Sequence, residues 1–231
     1  MKLSTIKIAS IAVFAALQAL LAVLPFTITI GVSGQITLGI IGGSLIGILL
    51  GPITGGLAVL IGSFVGVALN PAGAIFGILT PISPFLGGVG AGCIKIKRGY
   101  IAGAVILASL LIFYANPSGR EAFAYTWLHI IAMIVSFSPL GWMAGSTFDS
   151  PKTAKPIFGI VVAAFVGVLT DHIAGSALAI WYFSPALTPE IWFLAMAVYP
   201  IERIVAVILT IFIAAPVYYT LRRAGLSDLL K

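Results

Sequence analysis

The chain alternates apolar runs with short polar breaks, and the runs lack the every-second-residue pattern of barrel strands. Residues 4–24 form the first run, closed by Pro25, and residues 27–35 are polar enough for an outer loop. A short run over 36–50 stops at the turn signal Gly51 and Pro52, and another over 53–69 stops at Asn70 and Pro71. Residues 72–94 are apolar but carry Pro81 and Pro84, which predicts a re-entrant turn followed by a short span. Longer runs cover 100–115, 123–146, 157–182 and 191–221. Runs near the ~20 residues that a helix needs to cross a bilayer predict an all-α polytopic membrane protein. The expected architecture is a single transmembrane domain over 1–231, a bundle of six to eight transmembrane helices: eight if the broken stretch is one crossing, six if short runs merge.

Composition supports this pattern. Hydrophobic residues make up 61% of the chain and charged residues 8%, with a mean hydropathy of +1.20, whereas a soluble domain is roughly a quarter charged. The formal charge of +6 does not point to nucleic acid, because the basic residues sit in clusters between apolar runs rather than in a stripe. Lys2 and Lys7, Lys95, Lys97 and Arg98, Lys152 and Lys155, and Arg222, Arg223 and Lys231 fall on one side if successive spans alternate. By the positive-inside rule that side is cytoplasmic, so both the N-terminus and the C-terminus are expected there. The basic, apolar N-terminal segment reads as a retained first helix. The lone Cys93 excludes an internal disulfide and a thiolate metal cluster, and is expected to be a small packing residue.

Glycine is concentrated in the first half, with 17 of 26 between Gly31 and Gly92. Gly43, Gly47, Gly51 and Gly55, and Gly62 and Gly66, are four apart, which puts bare backbone on one helix face for close approach. Asn70-Pro71-Ala72-Gly73 is echoed by Asn116-Pro117-Ser118-Gly119, two turns too close together for an aquaporin-type repeat.

No P-loop, nucleophile elbow or zinc-protease motif is present, so no nucleotide, metal or cofactor is called and catalysis is not expected. Four ionisable residues lie deep in apolar runs: Asp171 and His172 on one span, Glu202 and Arg203 on the next. Charges there are costly, on the order of 2.5–3.5 kcal/mol, and face one another or a water-filled cavity. An Asp171–Arg203 pair is geometrically reasonable. It leaves one cation facing two carboxylates, which points to a ligand amine, a proton or a cation as the missing partner. Pro200 allows a kink beside Glu202, with Tyr199 lining the same cavity. Trp127, Trp181 and Trp192 fall near outer span ends, as interface anchors or as walls around a flat ligand, and His129 lies two turns below the outer end of its span.

The first third carries a further pattern: Ala12-Val-Phe-Ala-Ala16 followed by Leu-Gln-Ala-Leu-Leu, Gln35-Ile-Thr-Leu-Gly, and Leu-Leu-Gly51-Pro52-Ile-Thr-Gly-Gly56. Over residues 5–95 it resembles the substrate-binding S components of energy-coupling factor (ECF) vitamin transporters. The resemblance implies a prokaryotic plasma membrane, a small-molecule substrate taken from the outer side, and partner subunits: a transmembrane coupling subunit and ATPases. It implies that Ala12 and Ala16, or Ala15 and Ala19 in a second register, pack on the coupling subunit. It also implies that the 27–35 loop, with Gln35, covers the substrate. Family members usually have six spans, and the C-terminal half matches no vitamin-specific signature. The expected site is therefore Asp171, His172, Glu202 and Arg203 as polar anchors, with Trp181, Trp192, Tyr199, His129 and Gln35 around them. The rival expectation is a stand-alone proton- or sodium-coupled transporter using Asp171 and Glu202.

Overall fold

Inside lipid a backbone must satisfy its own N–H and C=O groups, so apolar runs coil into helices, and prolines and glycines set where each one stops. The computed structural model describes residues 5–24, 27–29, 35–150 and 155–226. Helix α1 (Thr5–Val23) leads into strand β1 (Thr27–Thr29), which pairs antiparallel with β2 (Gln35–Thr37), Thr27 opposite Thr37. The expected loop is therefore a small hairpin, an exception to the all-helical pattern. Helices α2 (Gly39–Leu50) and α3 (Pro52–Leu69) are separated by Gly51 alone. Its φ of 78° reverses the chain, and Pro52 occupies the first turn of α3, where no N–H is needed.

Two single 3-10 turns, Pro71–Gly73 and Gly77–Leu79, precede α4 (Ile82–Lys95); Pro81 caps that helix and Pro84 lies in its first turn, so neither breaks it, and residues 77–95 together are long enough for one crossing. Helix α5 (Gly99–Ala115) is followed by the short α6 (Pro117–Glu121), whose first turn Asn116 caps by accepting from the Ser118 N–H. The run expected to cross over 123–146 is broken instead. A 3-10 turn, Phe123–Thr126, precedes α7 (Trp127–Phe137) and α8 (Pro139–Thr147), which are bent by 68°. Pro139 has no N–H to continue α7, and Ser138 caps α8 by accepting from Leu140. The long α9 (Lys155–Tyr182) and α10 (Pro189–Arg223) complete the bundle, and α10 stays helical through Pro200 and Pro216.

Five helical segments are long and apolar enough to cross a membrane: α1, α3, α4 with its preceding turn, α9 and α10. The bent pair makes a sixth if it is one span, while α2 and α5 are shorter apolar helices. The chain is an all-α, multi-pass membrane protein apart from its hairpin. Exposed apolar side chains such as Val13, Leu194 and Phe212 are the surface that lipid covers.

The core forms where backbones meet. Cβ atoms added at Gly43 and Gly47 of α2 would strike the carbonyls of Pro84 and Gly88 on α4. On the other flank of α4, a Cβ at Gly87 would lie 2.7 Å from Asp171 Cβ, and one at Gly90 would lie 2.8 Å from Thr170 Oγ1. Gly62 of α3 lies equally close to the Ala15 carbonyl of α1. At one end of the bundle, basic residues tie helix ends together. Buried Lys95 donates from Nζ to the Leu49 carbonyl at 2.6 Å, in the last turn of α2. Lys97 pairs with Asp149 at 2.6 Å, and Arg222 donates to the Ser150 carbonyl at 2.7 Å.

Gly47→Val should lower the thermal unfolding midpoint of the detergent-solubilised chain, with overpacking costing about 1–3 kcal/mol or more. Gly175→Ala is the control, since its Cβ would come no nearer than 3.6 Å to Ser83, and its midpoint should hold or rise.

Candidate functional site

A cavity of about 500 Å³ lies between α1, α3, α4, α9 and α10, bounded at one end by the turns around Asn70, Phe76 and Thr80. Pockets for small organic molecules span about 300–1,000 Å³. Its α1 side is formed by Ala22 and Gln18, the latter fully buried. The Gln18 amide donates to the Gly39 carbonyl at 3.3 Å and to Ser63 Oγ at 3.1 Å. Gly42 admits this side chain, because a Cβ there would collide with the Gln18 Oε1 atom. That oxygen has no hydrogen-bond partner.

Helix α9 supplies Asp171, His172, Gly175, Ser176 and Ala179, about two turns of wall. The close α4–α9 contact at Gly87 holds Asp171, which has Ser83 of α4 as a neighbour. Asp171 Oδ2 is buried and unpartnered. His172 is the centre of a relay: its Nδ1 lies 2.9 Å from His129 Nε2, and its Nε2 lies 3.3 Å from the Tyr125 hydroxyl. That hydroxyl lies 2.7 Å from Ser176 Oγ, which donates to the His172 carbonyl at 2.8 Å. The rings lock this geometry. Tyr199 stacks on His129 at 5.2 Å between centroids, and its hydroxyl donates to the Tyr125 carbonyl at 2.7 Å.

Helix α10 brings Arg203 and Trp192 to the cavity wall. A guanidinium Nη of Arg203 lies 3.6 Å from the Glu202 carboxylate, and both side chains are buried. Arg203 Nε and Trp192 Nε1 are buried with no acceptor. The Trp192 ring sits edge-on to Phe113 and 4.9 Å from Tyr125 between centroids.

Of the residues expected from sequence, Asp171, His172, Arg203 and Trp192 face the cavity. His129, Tyr199 and Glu202 stand behind that wall and support it. Trp181 lies elsewhere: its indole is half exposed, donates to the Ile112 carbonyl at 2.9 Å and borders a separate apolar groove with Leu86 and Tyr182. The Gln35 backbone is in β2, and its side chain falls outside the described residues. Arg203 lies in ion-pair distance of Glu202, at 3.6 Å, rather than of Asp171, which packs against α4 at Gly87 and feels the Arg203 charge from farther off. Sequence reasoning passed over Gln18, Tyr125 and Ser176. Gln18 had a signal, being the one amide in the first apolar run; Tyr125 and Ser176 had none, since their roles depend on tertiary contact.

No family model and no solved structure matches this chain. It is similar to the uncharacterized protein MJ0923 of Methanocaldococcus jannaschii, at 29% identity over 183 residues. The match covers 79% of this chain, which spans 61% of that relative's length.

Glu202→Gln would leave the buried Arg203 cation without its counter-charge, a change that typically costs about 3–5 kcal/mol. Its unfolding midpoint in detergent should fall well below that of Trp181→Phe, which loses one exposed hydrogen bond worth roughly 0.5–1.5 kcal/mol. Equal midpoints would contradict this account of the Glu202–Arg203 pair.

Proposed function

We propose that the chain is the membrane-embedded substrate-binding subunit of an ECF-type transporter, capturing a vitamin-like small molecule for uptake driven by partner ATPase subunits. The observation that carries this reading is a cavity of about 500 Å³ whose lining includes Asp171, His172, Trp192 and Arg203. Charged residues inside apolar helices are costly and mark ligand or ion sites, and the aromatic side chains beside them suit a small organic molecule. The basic helix ends lie away from the cavity. With those ends cytoplasmic by the positive-inside rule, the cavity belongs to the outer half and takes its substrate from outside. An archaeal relative accords with a prokaryotic plasma membrane.

Helix α1 supports the partner side of the proposal. Ala15 and Ala19 are buried against Gly62 and Gly66 of α3, so they belong to the internal packing. Ala12 and Ala16 lie on the exposed face, and theirs is the register that a coupling subunit would contact. The same helix carries Gln18 inward, where its amide ties α1 to Gly39 and to Ser63, two residues of the cavity lining.

Native mass spectrometry of the purified chain, after exposure to a mixture of water-soluble vitamins, should show a stoichiometric adduct that Asp171→Asn loses. A wild-type chain that stays bare overturns the proposal. An ion-coupled transporter is the rival, favoured by Asp171, an acidic residue of the cavity lining with one carboxylate oxygen unpartnered. Uptake into liposomes by the chain alone, abolished by an uncoupler, would replace the binding-subunit reading with that one.

A further inference from the structure

One end of the cavity is closed by turns rather than by a long helix. Asn70, Ala72, Gly73, Ile75, Phe76 and Thr80 line it there, on the segment of two 3-10 turns that joins α3 to α4. The sequence makes this segment a separate piece. Pro71 has no N–H to carry α3 onward, and Gly77 takes a φ of 54°, which glycine adopts without strain. Among the described residues, the hydrogen bonds of 71–79 stay within 70–80. Gly73 donates to the Asn70 carbonyl at 3.1 Å, Gly77 to the Ala74 carbonyl at 2.8 Å and Leu79 to the Phe76 carbonyl at 3.1 Å, while the Phe76 N–H donates to Thr80 Oγ1 at 3.0 Å. Movement of the segment as a unit leaves every one of these bonds intact.

A single side chain fastens it. Ile75 and Ile78 are 63% and 73% exposed, whereas Phe76 between them is 6% exposed. The Phe76 ring packs on Tyr182 and Phe183 at the end of α9, with centroids 5.9 Å away in each case and edge-on to Tyr182. Burial of one phenyl ring and two ring contacts make a fastening that can open and reclose, since no ion pair or hydrogen bond has to be broken.

We infer that residues 70–80 form the gate of the cavity, latched by Phe76 against Tyr182 and Phe183, and that substrate enters at this end. The segment is distinct from the 27–35 loop that the family resemblance implies as a cover. The inference rests on the cavity being the substrate site, as proposed above, but its test needs no substrate.

A cysteine on the opposite wall reports access. Gly175 of α9 lines the cavity, and a Cβ there meets nothing nearer than 3.6 Å, so Gly175→Cys fits. The full-length variant in detergent is alkylated with N-ethylmaleimide and the rate is read by intact-mass spectrometry. The parent chain, whose one thiol is the buried Cys93, gives the background. Adding Phe76→Ala should raise the rate about tenfold, the effect of losing two ring contacts. Tyr182→Leu should raise it too, and because Tyr182 does not line the cavity, this change releases the latch without cutting a hole in the wall. Ile78→Ala, exposed on the same segment, should leave the rate unchanged. An unchanged rate in either latch variant, or an equal rise in Ile78→Ala, overturns the inference. If Phe76→Ala also speeds alkylation of Cys93 in the chain that keeps Gly175, that variant is unfolding, and the Tyr182→Leu rate decides. A failed gate leaves the cavity standing as the substrate site, whereas a wild-type chain that stays bare with vitamins removes the site and leaves the labelling result untouched.

Discussion

The approach of α4 to α2 on one side and α9 on the other is the contact on which the rest of this molecule depends. Lipid tails are as apolar as leucine, so helices in a bilayer gain little from hiding hydrophobic surface and must gain from close packing instead. Gly43 and Gly47 let α2 lie on the α4 backbone, and Gly87 and Gly90 let α9 do the same from the other side. The second of these contacts also positions chemistry, because the residue that fills the space beside Gly87 is Asp171. A glycine pattern that reads as packing alone is thus the reason a carboxylate reaches the cavity wall at a fixed place.

Burial of that carboxylate with Glu202 and Arg203 runs against the preference of a membrane for neutral groups, and the surrounding aromatic shell shows how the cost is contained. Glu202 is placed against Arg203, which leaves the pair formally neutral. Tyr199 binds the Tyr125 carbonyl and stacks on His129, so the two histidines and Tyr125 are held by ring packing as well as by hydrogen bonds. Among the described residues six buried polar atoms remain without a partner, and four of them belong to residues of the cavity lining. A polar network this close to complete holds its members in one arrangement.

Much of the fold was legible because proline and glycine act locally: Gly51 with Pro52, and Pro71, end or begin elements as their backbone chemistry requires. The break at Ser138 and Pro139 was readable in principle, yet the unbroken apolar run around it hid the 68° bend. The site was half legible. Asp171, His172 and Arg203 stand out because charge in an apolar run is conspicuous, and Trp192 because it is large. Which partner each one takes was not legible: Arg203 pairs within its own turn, and Trp181 and Trp192, alike in sequence position, separate into a membrane-facing ring and a cavity wall. Gln18 and Ser176 illustrate the limit, as ordinary polar residues whose meaning comes from glycines on other helices and from a tyrosine far along the chain.

The histidine relay bears on the choice between binding and conduction. The contacts run from His129 on α7 through His172 to the Tyr125 hydroxyl and Ser176, and Ser176 donates to the His172 carbonyl on α9 rather than into the cavity. A proton wire needs an exit, and this one ends on a backbone carbonyl. The same closure makes the relay a good clamp, because hydrogen bonds and stacked rings hold each member against the next. Rigid, pre-oriented groups serve selective binding, since ordering them costs nothing when a ligand arrives. The relay therefore weighs toward a chain that recognises its substrate and leaves the driving force to others.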